Sequence, residues 1–290
     1  MHIYYNQDMP YKRLFLFAGY NKSGLIDDAL VYYLKHLSAF GDIVLVMDSD
    51  CPPSEIKKAQ KYCVYTSAIR HGEYDFGSYK RAFNWATKNL NISDYDLLYL
   101  VNDSVYGPLY DMGPYFKQME SGERDAFGIV KNPHRHHPHI QSWFIGLRKN
   151  IFFTTWFDTF MNDITKLESK GAITRKYEHG LSKLISNHGH KWCCLYTVAG
   201  RGVYNHIKKL YKSGMPFMKK VAFTRTHGAL GRQILYVLNH ISPPARDAIY
   251  KSATDAHGAA HINWLLTRNP IRVMTRRIHH ALHKLLNEGI

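Results

Sequence analysis

"LLYLVNDSVYGPL", residues 97–109, decides the fold. Leu97 to Val101 is an unbroken apolar run that ends on Asn102-Asp103-Ser104, ahead of a Gly-Pro turn. A short, continuously apolar run bounded by turn residues is a strand covered on both faces, as in parallel sheets. Upstream, "RLFLFAGY" (13–20), "DIVLVMDSD" (42–50) and "YCVYTSAIR" (62–70) have the same character. Between them lie helical patterns. "LIDDALVYYLKHLSAF" (25–40) carries a stripe at Ile26, Leu30, Tyr33, Leu34 and Leu37, and Pro52-Pro53 opens "SEIKKAQKY". "DFGSYKRAFNWATKNL" (75–90) places Phe76, Tyr79, Phe83 and Ala86 on one side. Strands alternating with helices predict an α/β fold with a parallel sheet. Ligands of such sheets sit at the carboxyl ends of the strands. Gly19-Tyr20, Asp48-Ser49-Asp50 and Asn102-Asp103-Ser104 should therefore converge on one crevice.

Beyond residue 110 the pattern is mixed. "RDAFGIVKN" (124–132), "IQSWFIGLRK" (140–149) and "KWCCLYTVAG" (191–200) read as strands. "NIFFTTWFDTFMNDI" (150–164) and "YEHGLSKLISNHG" (177–189) read as helices, and the chain turns helix-rich from about Leu230. A composition shift puts a boundary near 225, separating a domain over 1–225 from a basic helical extension over 226–290.

The 290 residues allow one large domain with a modest extension. A hydrophobic content of 45% excludes intrinsic disorder. The net charge of +15 favours an anionic partner: nucleic acid, an anionic lipid surface or a phosphorylated ligand. Cys51, Cys63, Cys193 and Cys194 form no Cys-x-x-Cys pair and read as reduced, cytosolic thiols. The apolar run Leu14–Gly19 is too short for a signal peptide or a membrane span, so a soluble or peripheral protein is expected.

Asn102-Asp103-Ser104 has two explanations. These residue types cap turns. An acid at a strand end can equally hold Mg²⁺ or Mn²⁺, which bridge naturally to a diphosphate. In "RHGEYDFGSYKRAFNWA" (70–86), Gly72 and Gly77 flank acids and Lys80 and Arg81 follow, without the spacing of a Walker loop. "NPHRHHPHIQSWF" (132–144) holds four His, as a solvated or phosphate-facing loop or, alternatively, a zinc site. In the tail, "NPIRVMTRRIHHALHKLLNEGI" (269–290), Ile271, Met274, Ile278, Leu282 and Leu285 form an apolar stripe among basic residues. Such a helix lies on anionic membranes, docks on a core or makes a dimer contact.

"RHGEYDFGSYKRAF", "YDLLYLVNDSVYGPL", "HIQSWFIGL", "YEHGLSKLI" and "YNHIKKLYKSGMPFMKK", in that order, resemble the rhamnan synthesis protein F family of polysaccharide glycosyltransferases over roughly residues 13–222. The layout is similar to that of GT-A enzymes, whose metal motif Asp-x-Asp ends a strand. The resemblance implies a GT-A-like, Rossmann-like mixed sheet flanked by helices. It also implies a hexosyltransferase that moves rhamnose or another hexose from a nucleotide-diphosphate donor to a cell-surface polysaccharide or lipid-linked glycan, with inversion. Asn102-Asp103-Ser104 stands where Asp-x-Asp would, and offers one carboxylate, Asp103, for a divalent cation, with His206 as a second metal or diphosphate contact.

The same resemblance implies a donor site of Tyr20, Asp48, Asp50, Arg70, Gly72, Asp75, Asn102 and Ser104. Lys80 or Arg81 would offset diphosphate charge, unless they form a solvated helix face. Lys219 and Lys220 would contact phosphate. Glu178, heading a helix, would be the general base, or merely complement the helix dipole; Asp163 and Glu168 are rivals. Ser142 and Trp143 would contact the acceptor sugar. Lipid-diphosphate acceptors would place the protein at the inner face of a bacterial membrane, held by the tail. A basic nucleic-acid-binding protein and a non-catalytic scaffold subunit are the alternatives.

Overall fold

The structure, a computed structural model, describes residues 11–225 and 229–267 and the single positions 274 and 278. Most of the expected tail stripe (Ile271, Leu282 and Leu285) lies outside the described residues; Met274 and Ile278 are exposed. The described elements begin with β1 (Arg13–Gly19), α1 (Asp28–Leu37), β2 (Asp42–Met47), α2 (Pro53–Gln60), β3 (Tyr65–Ala68), α3 (Tyr74–Asn89) and β4 (Leu97–Asn102). There follow β5 (Val105–Tyr106), α4 (Gly113–Glu120), β6 (Ala126–Asn132), β7 (His139–Ile140), β8 (Phe144–Arg148), α5 (Lys149–Phe152), α6 (Thr155–Asn162) and α7 (Lys170–Ile173). A π-helical turn (Thr174–Glu178) leads into α8 (His179–Asn187) and β9 (Trp192–Thr197). The rest is α9 (Gly202–Asn205), α10 (Ile207–Lys212), β10 (Met218–Lys219), a 3₁₀ turn (Lys220–Thr224), α11 (Leu230–Leu238), α12 (Pro243–His257) and α13 (Ala259–Leu266).

The chain divides into two compact units. The first comprises residues 1–103 and 111–200, the second 104–110 and 201–290. The expected boundary at 225 falls inside the second.

The first unit is a mixed sheet flanked by helices. Among the described residues its strands run β3-β2-β1-β4-β8-β6, with β7 on the β8 side of β6 and β9 on the other. β1 to β4 are mutually parallel, whereas β8 is antiparallel to both β4 and β6. Side chains alternate across the sheet. Leu14, Leu16, Leu98 and Leu100 face Phe76, Tyr79, Phe83 and Phe157 of the covering helices in one core cluster. Phe15 and Tyr99 pack instead on Phe116 of α4, at ring distances of 5.9 and 5.5 Å. Both faces are covered, which explains why β1 and β4 read as unbroken apolar runs. One charge is buried on the second face: the Arg13 guanidinium meets the Glu120 carboxylate at 2.7 and 2.5 Å, and the Tyr99 hydroxyl donates to the same carboxylate.

Two helical expectations need correcting. The single helix expected over 150–164 is two, α5 and α6, because Thr154 leaves helical backbone and accepts from Phe157 N to cap α6. The helix expected to open at Glu178 begins at Lys170 and runs through the π turn. Ile173, Tyr177, Leu181 and Ile185, four apart and all buried, are the apolar row that carries it.

The second unit pairs β5 antiparallel with β10, Val105 facing Lys219 and Tyr106 facing Met218. Tyr110 stacks on Tyr211 at 5.1 Å. Leu230, Ile234 and Val237 of α11, Ile249 of α12 and Ile262 and Leu265 of α13 are buried. No helix among the described residues is long and apolar enough to cross a membrane.

Candidate active site

The site grows from the carboxyl ends of β1, β2 and β4. β2 ends on Asp48, which is 7% exposed, and its Oδ1 accepts the backbone N–H of His71 at 2.7 Å and of Gly72 at 2.8 Å. Asp50 accepts from Arg70 N at 3.1 Å. Between them, the Ser49 hydroxyl donates to the Asn21 carbonyl and accepts from Asn21 N. The end of β2 is thus bound both to the loop that leads into α3 and to the segment after β1. Asp48, expected to face the donor, is committed to that loop; Asp50 and Arg70 remain exposed at its rim.

The loop is conformationally costly. Gly72 has φ +70° and Tyr74, a non-glycine, has φ +59°. Left-handed backbone on a bulky residue marks a constrained position. Here it sits one residue before Asp75. His71 buttresses the turn: its Nδ1 accepts from Glu73 N at 3.1 Å and its Nε2 lies 2.9 Å from Ser78 Oγ. Burial lowers the His71 pKa, so the ring is neutral and its 3.7 Å approach to Asp48 is no ion pair.

The Asn102 side chain, 2% exposed, donates to Asp75 Oδ2 at 2.8 Å. That bond brings the first turn of α3 to the end of β4, where Asp103 follows with its N–H on the Ala18 carbonyl at 3.1 Å. Sequence spacing offered one carboxylate here; the fold ties a second, Asp75, to the neighbouring Asn102. Mg²⁺ and Mn²⁺ are commonly held by one or two carboxylates, completed by water and substrate phosphate oxygens. Asp103 and Asp75 fit that donor set. Among the described residues no three His, Cys, Asp or Glu side chains gather as a metal site.

β8 carries the other half. The Asn102 N–H donates to the Trp143 carbonyl at 3.2 Å, so residues 142–143 lie beside the end of β4. The buried Tyr79 hydroxyl donates to the Ser142 carbonyl at 2.9 Å. The Ser142 hydroxyl donates to Glu178 Oε2 at 2.9 Å. His139 approaches the other oxygen, Oε1, with its Nε2 at 3.3 Å, and its Nδ1 lies 2.7 Å from the His137 carbonyl. With both ring nitrogens facing acceptors, the protonated ring is the one that satisfies both. Burial works against that charge. The hydrogen bonds to Glu178 and to His137, together with the Glu178 charge, outweigh it and raise the His139 pKa. His179 stacks near His139 at 4.2 Å; burial and the charge of His139 lower its pKa. Glu178 sits at the end of a π turn, not at a helix start, which removes the helix-dipole explanation for it. Single π turns are enriched at functional sites.

Several expected residues lie elsewhere. Lys80 donates to the carbonyls of Asn162 and Ile164, and Arg81 pairs with Glu73 at 2.6 Å. Both brace the scaffold, and neither is a solvated helix face. Trp143 is 3% exposed with its indole N–H on Gln141, so its ring offers no face to a sugar. Tyr20 is half-exposed beyond β1. Asp163 and Glu168 are exposed. Ser104 belongs to the second unit, where it accepts from Lys219 Nζ at 3.0 Å and its carbonyl from Lys220 N. His206 is exposed at the junction of α9 and α10 in that unit. Sequence reasoning missed His139 as the partner of Glu178. It also missed Lys166, whose ammonium would lie 3.6 Å from a β-carbon placed on Gly72. Neither spacing nor periodicity connects those pairs.

Residues 43–285 match the family model of rhamnan synthesis protein F. No curated protein matches the chain. Among solved structures it is similar to the Saccharomyces cerevisiae mannosyltransferase Ktr4p in complex with GDP: 9% identity, TM-score 0.37, covering 63% of this chain and 69% of that one. It is similar also to core-mannan synthase A of Aspergillus fumigatus in its Mn/GDP form: 12% identity, TM-score 0.32, covering 53% of this chain and 64% of that one. The glycosyltransferase GlyE of Streptococcus pneumoniae gives 12% identity and a TM-score of 0.45, covering 84% of this chain and 64% of that one. The chain thus spans less than two thirds of the length of the last two.

Proposed function

The chain belongs to the rhamnan synthesis protein F family of glycosyltransferases, and from that premise we propose that it moves a hexose from a nucleotide-diphosphate donor to a glycan acceptor with inversion at the anomeric carbon. The observation that carries this is the coupling of two carboxylate centres through one short segment. Asn102 ties Asp75 to the end of β4, where Asp103 follows in the chain, and residues 142–143, hydrogen-bonded to that strand end, hold Glu178.

Donor diphosphate lies over the ends of β1 and β4, with Tyr20, Asp50 and Arg70 at the rim for base and ribose. Lys166 supplies a positive charge beside Gly72. Asp103 and Asp75 would hold the divalent cation, which neutralises the leaving diphosphate when bound. Glu178 takes the acceptor hydroxyl proton as that oxygen attacks. One of its oxygens accepts from Ser142 and the other faces His139. Those two groups aim it. The acceptor is a membrane-linked glycan; the net charge of +15 and the basic tail favour an anionic membrane face.

The test is a screen of UDP-, GDP- and dTDP-hexoses with and without Mn²⁺ or Mg²⁺, following nucleotide release and transfer. One donor is turned over by the wild type, and Asp103→Ala loses both binding and its metal dependence. Glu178→Gln binds the donor normally but loses transfer. Failure of every donor to bind, or full transfer by Glu178→Gln, overturns the proposal.

A further inference from the structure

An open groove of about 470 Å³ in the first unit runs between α6 and the π turn with α8. Its walls include two part-exposed aromatic rings, Trp156 and Phe160, backed by the buried Tyr177. Their positions are set by the protein itself. Trp156 stacks on His188 at 4.5 Å with an interplanar angle of 8°. Phe160 meets Tyr177 edge-on at 6.3 Å. The Tyr177 hydroxyl accepts from Thr165 N at 2.8 Å, which fixes its ring. Interleaved with the rings are the exposed Thr159, Asp163 and Lys176. Neither the Asp163 carboxylate nor the Trp156 indole N–H is hydrogen-bonded by a described residue.

That lining selects its ligand. A pyranose ring has an apolar C–H face, which lies on an aromatic plane, and a rim of hydroxyls, which needs donors and acceptors at its edge. An acyl chain or apolar peptide would cover Asp163 and Lys176 without pairing them, which is unfavourable. The volume lies within the roughly 300–1,000 Å³ of small-molecule sites, enough for more than one sugar ring. The groove is also continuous with the candidate site along the chain. Tyr177 immediately precedes Glu178 in the π turn. Asp163 lies in the segment that Lys80 pins through the carbonyls of Asn162 and Ile164, and that segment brings Lys166 to Gly72.

We propose that this groove binds the non-reacting sugar residues of an oligosaccharide acceptor, so that the growing glycan lies across α6 and α8. The proposal rests on the transferase assignment above for its purpose, though not for its binding chemistry.

The experiment titrates the full chain, without donor, with rhamnose oligosaccharides of one to six residues, read by saturation-transfer NMR and calorimetry. Affinity should rise from one residue to about three and then level, the length the groove accommodates. Trp156→Ala should weaken the trisaccharide by about tenfold, the loss of one stacking platform. Trp156→Tyr should restore much of it. Thr159→Arg, which fills the groove from an exposed position on α6 and leaves the core alone, guards against a folding defect in Trp156→Ala and should weaken binding by at least as much. Both should leave nucleotide-diphosphate affinity and donor hydrolysis unchanged. No binding, affinity independent of length, or trisaccharide affinity unchanged in Thr159→Arg overturns the groove. Groove-dependent binding without any donor turnover would sink the transferase assignment and leave the groove standing. Donor turnover without oligosaccharide binding would do the reverse.

Discussion

Glu178 faces the Ser142 hydroxyl and the His139 ring, and of these two groups only His139 titrates near neutrality. Its pKa is raised in the fold, because hydrogen bonds and the Glu178 charge outweigh burial. A raised value means that the folded state holds the proton more tightly than the unfolded chain does. The stabilisation is therefore complete below the unfolded value of about 6.5 and is lost as pH rises through the folded one. The stability difference between wild type and His139→Gln, from urea unfolding at a series of pH values, should be largest below about 6.5 and shrink steadily above it. A difference independent of pH would mean that the pair is not charged. The neighbouring Asp48 makes a separate prediction. Asp48→Ala strands the N–H groups of His71 and Gly72, and should cost about 2–3 kcal/mol of unfolding free energy. Asp48→Asn keeps an acceptor and should cost clearly less. Several of these residues were legible in the sequence as strand-end or loop acids, Asp103, Asp75 and Glu178 among them. Their partners were not: His139, in β7, reaches Glu178 across β8 and the helices α5, α6 and α7, and Asp48 looks the same in sequence whether it serves a ligand or a backbone turn.

At the scale of elements, the alternation of buried strands and amphipathic helices was plain up to β4, because each element there is covered on both faces or striped on one. It failed where backbone hydrogen bonding departs from the regular pattern. Thr154 divides one apolar helical run by capping the second half, and the π turn hides a helix whose first residues are polar. The π turn has a testable purpose. Its extra residue sets the direction in which Glu178 leaves the helix, and removing one residue from the turn rotates α8 by about 100° relative to α7. Deletion of the exposed Arg175 should therefore let the helix close regularly but turn Leu181 and Ile185 from their buried positions, and should cost about 2–5 kcal/mol of unfolding free energy. Transfer should fall by about a hundredfold, the scale of a misplaced catalytic group. Donor affinity should hold, since Asp75 and Asp103 lie on other elements. Retained transfer in the deletion variant would show that the turn does not aim Glu178.

At the scale of the whole molecule, the division into units was the least legible feature. Residues 104–110 belong with 201–290 because β5 pairs with β10, a pairing between two-residue strands far apart in the chain that leaves no periodic signal. The charge, by contrast, is written in the sequence, and it makes the last prediction. A net +15 with Arg272, Arg276, Arg277 and Lys284 in the tail should bring the protein to vesicles containing phosphatidylglycerol and not to phosphatidylcholine alone. Each basic residue near such a surface contributes about 1 kcal/mol, so reversing Arg276, Arg277 and Lys284 to Glu should weaken vesicle binding by at least about a hundredfold. The attraction is screened over roughly 10 Å at 0.1 M salt, so raising salt to 0.5 M should weaken the wild type in the same direction. Nucleotide-diphosphate affinity should not change in the reversed variant, because the strand-end site lies in the first unit. A generic cation would behave differently: if double-stranded DNA displaced the vesicles and bound as tightly to the reversed variant, the charge would serve nucleic acid through other surfaces. Vesicle binding that depends on the tail, with donor binding that ignores it, would assign the two properties to separate parts of one enzyme.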